Sequence, residues 1–214
     1  MTTTRPDIHA TVTAAIIARL EAGTRPWCKP WNAEHAAGRI NRPLRHDGTP
    51  YRGVLYAGLM LTEDGPMLLE FNARFGDPEA QVLLPMLDGD LAQALLGVAT
   101  NDMGLAEGAV RTREGATVAV VVAAEGYPDD PVRGRVIDGA EPSGPGDDGT
   151  LLCFHGATRR AGSGYQTAGG RVVTLVGRGP DLAAARQAAY RGVAEVELEG
   201  GQHRTDIAAR EVGA

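Results

Sequence analysis

Residues 69–79 read Leu-Glu-Phe-Asn-Ala-Arg-Phe-Gly-Asp-Pro-Glu. Side chains on a strand alternate between faces, so Glu70 and Asn72 share one face at about 7 Å spacing while Leu69 and Phe71 take the other. One carboxylate and one amide oxygen so placed can hold a hard cation such as Mg²⁺, with water and phosphate oxygens completing its shell. Arg74, if the strand continues, adds a planar fork suited to phosphate or carboxylate. The same alternation also describes an edge strand with a solvated polar face, and the pattern alone leaves both readings open.

A second group of residues lies upstream. Pro26-Trp27-Cys28-Lys29-Pro30-Trp31 doubles a Pro-Trp pair, with Arg25 before it and Arg39, Arg42 and Arg45 at spacing three after it. Cations interleaved with stacking aromatics suit single-stranded nucleic acid. Equally, Trp27 and Trp31 could plug a small core. The five histidines show no HExxH-type spacing, and His155 beside Cys153 reads as a core pair at a strand end. Ser143 and Ser163 lack a nucleophile-elbow context, and Asp147-Asp148 reads as a solvated turn.

The elements that would carry these residues follow from periodicity and punctuation. Residues 6–22 repeat apolar positions at helical spacing up to Gly23. Residues 54–61 form a short apolar run, expected as a buried strand. The cluster at 62–66 is a turn, and 67–72 is the returning strand of a hairpin. Asp77 is expected as an N-cap, with Pro78 at the first helical position and an interruption near Pro85. Another helix is expected over 90–99. Strands follow at 117–124, 135–137, 151–154 and 172–176, then a helix over 182–198. Residues 141–149 are loop by composition.

Length and charge set the frame. The chain has 214 residues, 43% hydrophobic, with a net charge of −6. That is enough apolar content for one ordinary core or two small ones. The charge is uneven: residues 1–52 are basic, and residues 53–214 hold thirteen Arg against twenty-three Asp/Glu, or −10. No apolar stretch is long enough for a transmembrane helix, no secretory-type leader is evident, and two cysteines make no disulfide framework. A cytoplasmic address without membrane contact is expected. The change of charge sign and aromatic usage near residue 52 marks a candidate domain boundary.

From Gly53 the chain resembles the phosphoribosylamine–glycine ligase (glycinamide ribonucleotide synthetase) family. The likeness rests on Gly53-Val54-Leu55-Tyr56-Ala57-Gly58-Leu59-Met60, the stretch from Leu69 to Gln81, Glu125-Gly126-Tyr127-Pro128, Phe154-His155-Gly156-Ala157-Thr158, Gly169-Gly170-Arg171-Val172 and Arg204-Thr205-Asp206-Ile207. It covers roughly residues 53–210. It implies an α+β fold, with the truncated end of an ATP-grasp domain followed by a small sheet-and-helix C-terminal domain. It also implies metal-binding roles for Glu70 and Asn72, which would hold the Mg²⁺ or Mn²⁺ carrying ATP. Arg74 would face the reacting phosphate or second substrate. The implied reaction joins glycine to 5-phosphoribosylamine through a glycyl phosphate, in purine biosynthesis.

The chain departs from the family pattern at Ala80, where Thr is usual, at Gly156-Ala157, where the order is reversed, and at Ala208-Ala209, where Gly-Trp is common. The family's full-length enzymes also carry a front half with lysines on the phosphates, whereas Lys29 is the one lysine here. We therefore expect family membership without independent turnover by these 214 residues.

Residues 4–53 resemble the start of ArdC-type antirestriction proteins, through Arg5-Pro6-Asp7-Ile8, Ala22 to Trp31, Arg42-Pro43-Leu44-Arg45 and Pro50-Tyr51-Arg52-Gly53. That resemblance implies single-stranded DNA binding by Arg25, Trp27, Lys29, Trp31, Arg39, Arg42 and Arg45. The expected organisation is a basic antirestriction-like segment at 1–52, an ATP-grasp fragment at 53–108 and a synthetase C-domain at 109–214.

Overall fold

A computed structural model describes residues 48–62, 65–143 and 150–213. The upstream positions Arg25, Trp27, Lys29, Trp31, Arg39, Arg42 and Arg45, and the helix expected over 6–22, lie outside the described residues. Chain contacts divide the molecule into one unit holding residues 55–73 and another holding 52–54 and 74–214. Residues 74–108 thus fall in the same compact unit as 109–214.

The first unit contains a hairpin of β1 (Tyr56–Thr62) and β2 (Gly65–Asn72). The strands are antiparallel, with Tyr56 opposite Asn72, Gly58 opposite Glu70 and Thr62 opposite Gly65. The register shifts between Gly58 and Leu59, which face Glu70 and Leu68, so Leu69 is the extra residue of a bulge. The apolar run is a strand, as its composition predicts, but it is not buried. Leu59, Leu69 and Phe71 keep 55%, 56% and 59% of their surface exposed. Among the described residues, each strand of the ribbon has one partner strand and no second layer covers its apolar side.

In the second unit, α1 (Glu79–Leu83) leads through a 3₁₀ turn at Leu84–Met86 into β3 (Leu87–Gly89). The break is where Pro85, lacking an N–H, cannot continue the helix. Asp77 does not cap α1. The cap position is Pro78, with no side-chain bond, and the Asp77 carboxylate instead accepts from Gln81 and Arg171. Next come α2 (Leu91–Thr100), capped by the Asp90 side chain, α3 (Met103–Ala106), and β4 (Val110–Thr112), which pairs with β3.

The core belongs to β5 (Ala116–Ala123), β7 (Leu151–His155), β10 (Arg171–Gly179) and α4 (Leu182–Glu195). β10 is central, antiparallel to β5 on one edge and β7 on the other. Val172 to Gly177 are buried without alternation, as befits a strand covered on both faces. Asp181 caps α4 by accepting from the Ala184 N–H at 2.8 Å, and the helix ends at Glu195, three residues before its expected end. Its buried face is Ala185, Ala188, Ala189, Gly192 and Val193. Small side chains there bring helix and sheet close. A Cβ on Gly177 would collide with Ala185 O and Ala189 N, so only glycine fits at that crossing.

A second small sheet, ordered β6 (Val136–Ile137), β9 (Gly164–Thr167), β8 (Thr158–Ala161), completes the body, with α5 (Ala209–Val212) near the C-terminus. The tail before α5 is fastened to α4. Arg186 donates to the Thr205 and Ile207 carbonyls, Tyr190 Oη donates to Arg204 O, and Ile207 N–H donates back to Tyr190 Oη. No helix among the described residues is long and apolar enough to cross a membrane.

Candidate functional site

Glu70 and Asn72 meet on one face of β2. Asn72 Nδ2 donates to Glu70 Oε1 at 2.9 Å. The amide dipole is thereby set, leaving Asn72 Oδ1 and Glu70 Oε2 as two hard oxygens of neighbouring side chains. Glu70 is exposed and Asn72 half-buried.

Two positions on the facing strand shape this pair. A Cβ built on Gly58 would lie 3.0 Å from Glu70 Cγ and 3.6 Å from the Tyr56 ring. Gly58 therefore clears the space that the Glu70 side chain occupies. Tyr56 shares the face, being two residues from Gly58 and opposite Asn72. Below the end of β2, Tyr51 Oη donates to Ala73 O at 3.1 Å. Sequence reading named Glu70 and Asn72 but not Gly58 or Tyr56. The signal was present in the alternation of Tyr56 and Gly58 along an otherwise apolar run.

Arg74 is not on that strand. β2 ends at Asn72, and the exposed Arg74 lies in a bend of the second unit, donating to Phe75 O at 2.9 Å. Strand alternation thus does not carry Arg74 onto the Glu70 face.

The donor set suits a hard divalent cation. It offers one carboxylate and one amide oxygen and no sulfur or imidazole, which matches oxygen-seeking Mg²⁺ or Mn²⁺. No group of three or more His, Cys, Asp or Glu gathers into a cation site among the described residues. Two protein oxygens are the share expected when phosphates and water supply the rest.

The remaining polar candidates have structural duties. His155 Nε2 lies 2.6 Å from Ala140 O and Nδ1 lies 2.9 Å from Thr158 Oγ1. A carbonyl only accepts, so Nε2 donates. The ring also packs edge-on against Tyr165 at 4.3 Å. Cys153 is buried, and burial, aided by the negative charge of Glu141, pushes its thiol up to about 11. That leaves no thiolate nucleophile at neutral pH. Ser143 Oγ accepts the Cys153 N–H at 2.8 Å, fastening its loop to β7.

Comparison with known proteins places this geometry in a lineage. Two family models match in order: the phosphoribosylglycinamide synthetase ATP-grasp (A) domain over residues 29–80 and the phosphoribosylglycinamide synthetase C domain over residues 117–210. The first match takes in Lys29, Trp31, Arg39, Arg42 and Arg45. Phosphoribosylamine–glycine ligase of Streptomyces coelicolor is 42% identical over 193 residues, covering 88% of this chain, more than residues 53–214 alone contain, and 46% of the relative. That of Caulobacter vibrioides is 49% identical over 162 residues, covering 75% of this chain and 37% of the relative. The crystal structure of the Thermotoga maritima phosphoribosylamine–glycine ligase aligns with a TM-score of 0.61 at 36% identity, over 75% of this chain and 38% of that one. The chain spans less than half the length of each.

Proposed function

Because the chain belongs to the phosphoribosylglycinamide synthetase family, with its ATP-grasp and C domains in order, we propose that it serves the ATP-dependent joining of glycine to 5-phosphoribosylamine in cytoplasmic purine biosynthesis. In this reading Glu70 and Asn72 hold the Mg²⁺ or Mn²⁺ of the nucleotide, and Arg74 faces the reacting phosphate. The observation that carries it is the Asn72–Glu70 hydrogen bond of 2.9 Å, on a motif with a carboxylate and an amide oxygen on one strand face.

Glycine's carboxylate would take the terminal phosphoryl group of ATP, giving glycyl phosphate and ADP. The amine of phosphoribosylamine would then displace phosphate from the carbonyl carbon. A divalent cation held by Glu70 and Asn72 would supply charge neutralisation to the triphosphate. This chain's part is positional. Asn72 orients the Glu70 carboxylate, Gly58 leaves it room, and the strand presents both oxygens on one face. The Arg74 guanidinium, once released from Phe75 O, would offer a positive fork to an oxygen of the transferring group.

Mn²⁺ with ATP, followed by electron paramagnetic resonance, tests the assignment. Bound Mn²⁺ should be detected with the wild-type chain, and Glu70→Gln should weaken it about tenfold or more, since a charged ligand is lost. Equal binding by Glu70→Gln would remove Glu70 from the cation's shell. Turnover is a separate expectation. With one lysine in 214 residues, charge on a triphosphate falls to the cation and arginines, so this chain assayed by itself with ATP, glycine and phosphoribosylamine should release no phosphate above background. Turnover abolished by Glu70→Ala would show that it needs no further residues.

A further inference from the structure

We propose that the cleft lined by Arg133, Gly134, Arg159, Thr167 and Ala168 is an anion site that takes a terminal phosphate group. The cleft lies in the C-terminal body, and its volume of about 220 Å³ accommodates a phosphate with part of the group that carries it.

Its walls are cationic in a part of the chain that is otherwise acidic. Residues 53–214 carry a net −10, yet neither arginine of the cleft has a carboxylate partner among the described residues. Arg133 makes no ion pair or hydrogen bond within the described residues, and Arg159 spends one N–H on the neutral Gln166 side chain at 3.2 Å. The next arginine along, Arg135, shows the contrast: it is paired with both Glu125 and Glu199. Arg160, the neighbour of Arg159 on β8, lies over the Tyr165 ring at 5.5 Å. Among the described residues, Arg133 and Arg159 thus lack the carboxylate partners that Arg135 has. Two guanidiniums offer planar forks whose geometry matches phosphate oxygens.

The floor is pre-set. Thr167 is fully buried. Its hydroxyl donates to Val132 O at 3.0 Å and accepts the Arg135 N–H at 3.1 Å. Gly134 N–H donates to Thr167 O, Thr167 N–H to Arg135 O, and Ala168 N–H to Ala157 O. The backbones bearing Arg133 and Arg159 are therefore tied to one another through β9, and binding would cost ordering only in the two arginine side chains.

The shared chemistry is a phosphate monoester dianion, whether free or borne by a sugar or a nucleoside. The full chain, held in EDTA so that the Glu70–Asn72 pair plays no part, would be titrated calorimetrically at constant ionic strength with inorganic phosphate, ribose 5-phosphate and AMP. Millimolar or tighter binding of at least one is expected, and the tightest identifies the carrier. Arg133→Gln with Arg159→Gln should weaken it about tenfold or more, because each removes a charge-assisted contact, while Arg204→Gln, whose partner is Asp206, should leave it unchanged. Circular dichroism of the double variant checks its fold, and Arg159→Lys, which keeps the charge but not the fork, should fall between. Absence of binding by the wild-type chain, or affinity unchanged in the folded double variant, overturns the proposal. Neither outcome bears on the cation reading, which is tested with metal present.

Discussion

Arg171 grips Asp77 twice across ninety-four residues of chain: Nη1 donates to the Asp77 carbonyl at 2.8 Å and Nη2 to its carboxylate at 2.9 Å. The strand that opens with Arg171 is the central one of the core sheet, so the loop between β2 and α1 is fastened to the most buried element of its unit. Both side chains are partly exposed, which limits the value of the ion pair itself. The geometry still requires a fork. Arg171→Ala should cost about 1 kcal/mol in urea unfolding, and Arg171→Lys should recover only part of it, since an ammonium cannot span carbonyl and carboxylate in the same way.

Gly58 offers a test of the cation pair from the opposite strand. Alanine there would place its Cβ 3.0 Å from Glu70 Cγ, tight enough to move a flexible carboxylate without disturbing the hairpin. Mn²⁺ binding in the presence of ATP should weaken in Gly58→Ala while the unfolding midpoint stays nearly constant. Unchanged binding would mean that the carboxylate position is not critical.

Ala208 adopts φ +56°, the left-handed conformation that favours glycine. An L-residue there costs about 1–2 kcal/mol, and glycine gives back part of that through greater freedom in the unfolded chain. Ala208→Gly should therefore stabilise the body by about 0.5 kcal/mol, read as a rise in thermal midpoint. A fall in the midpoint would show that the alanine methyl group makes a contact worth more than the strain.

The Cys153 thiol, pushed up to about 11 by burial and then by Glu141, compares with 9.0 for an ordinary thiol. A pKa raised in the folded state favours the folded, protonated form. Its contribution is fully present below about pH 9 and is lost as pH rises towards 11. In a Cys28→Ser background, a thiol-specific disulfide reagent should leave Cys153 unmodified at neutral pH until denaturant is added, and alkaline destabilisation should be smaller in Cys153→Ala. Rapid labelling of the native chain would contradict its burial.

Local patterns in the sequence predicted much of the fold. The hairpin over 56–72, the break at Pro85, the helix that begins next to Asp90 and the β10 strand all follow from punctuation and periodicity that packing did not override. Residues 54–61 misled because an unbroken apolar run specifies a strand but not what covers it. Asp77 misled because its carboxylate is claimed by Arg171, a partner that no local window contains. The β8–β9 hairpin escaped notice because its residues, Thr-Arg-Arg-Ala and Gly-Tyr-Gln-Thr, are mostly polar, with little hydrophobic rhythm. At the candidate site, Glu70 and Asn72 were legible from strand alternation. Arg74 was not, because the strand stops two residues before it.

The burial of β10 on both faces and both edges also divides the molecule by how its backbone amides exchange with solvent deuterium. Amides from Val173 to Gly177 lie between β5 and β7 and under the alanine face of α4. They can meet solvent only when the whole sheet comes apart, so their exchange measures the global unfolding free energy. Among the described residues the β1–β2 ribbon is a two-stranded sheet, and amides of such a ribbon are expected to exchange through local opening. Exchange at the strand that presents Glu70 and Asn72 can therefore be followed apart from exchange in the core sheet.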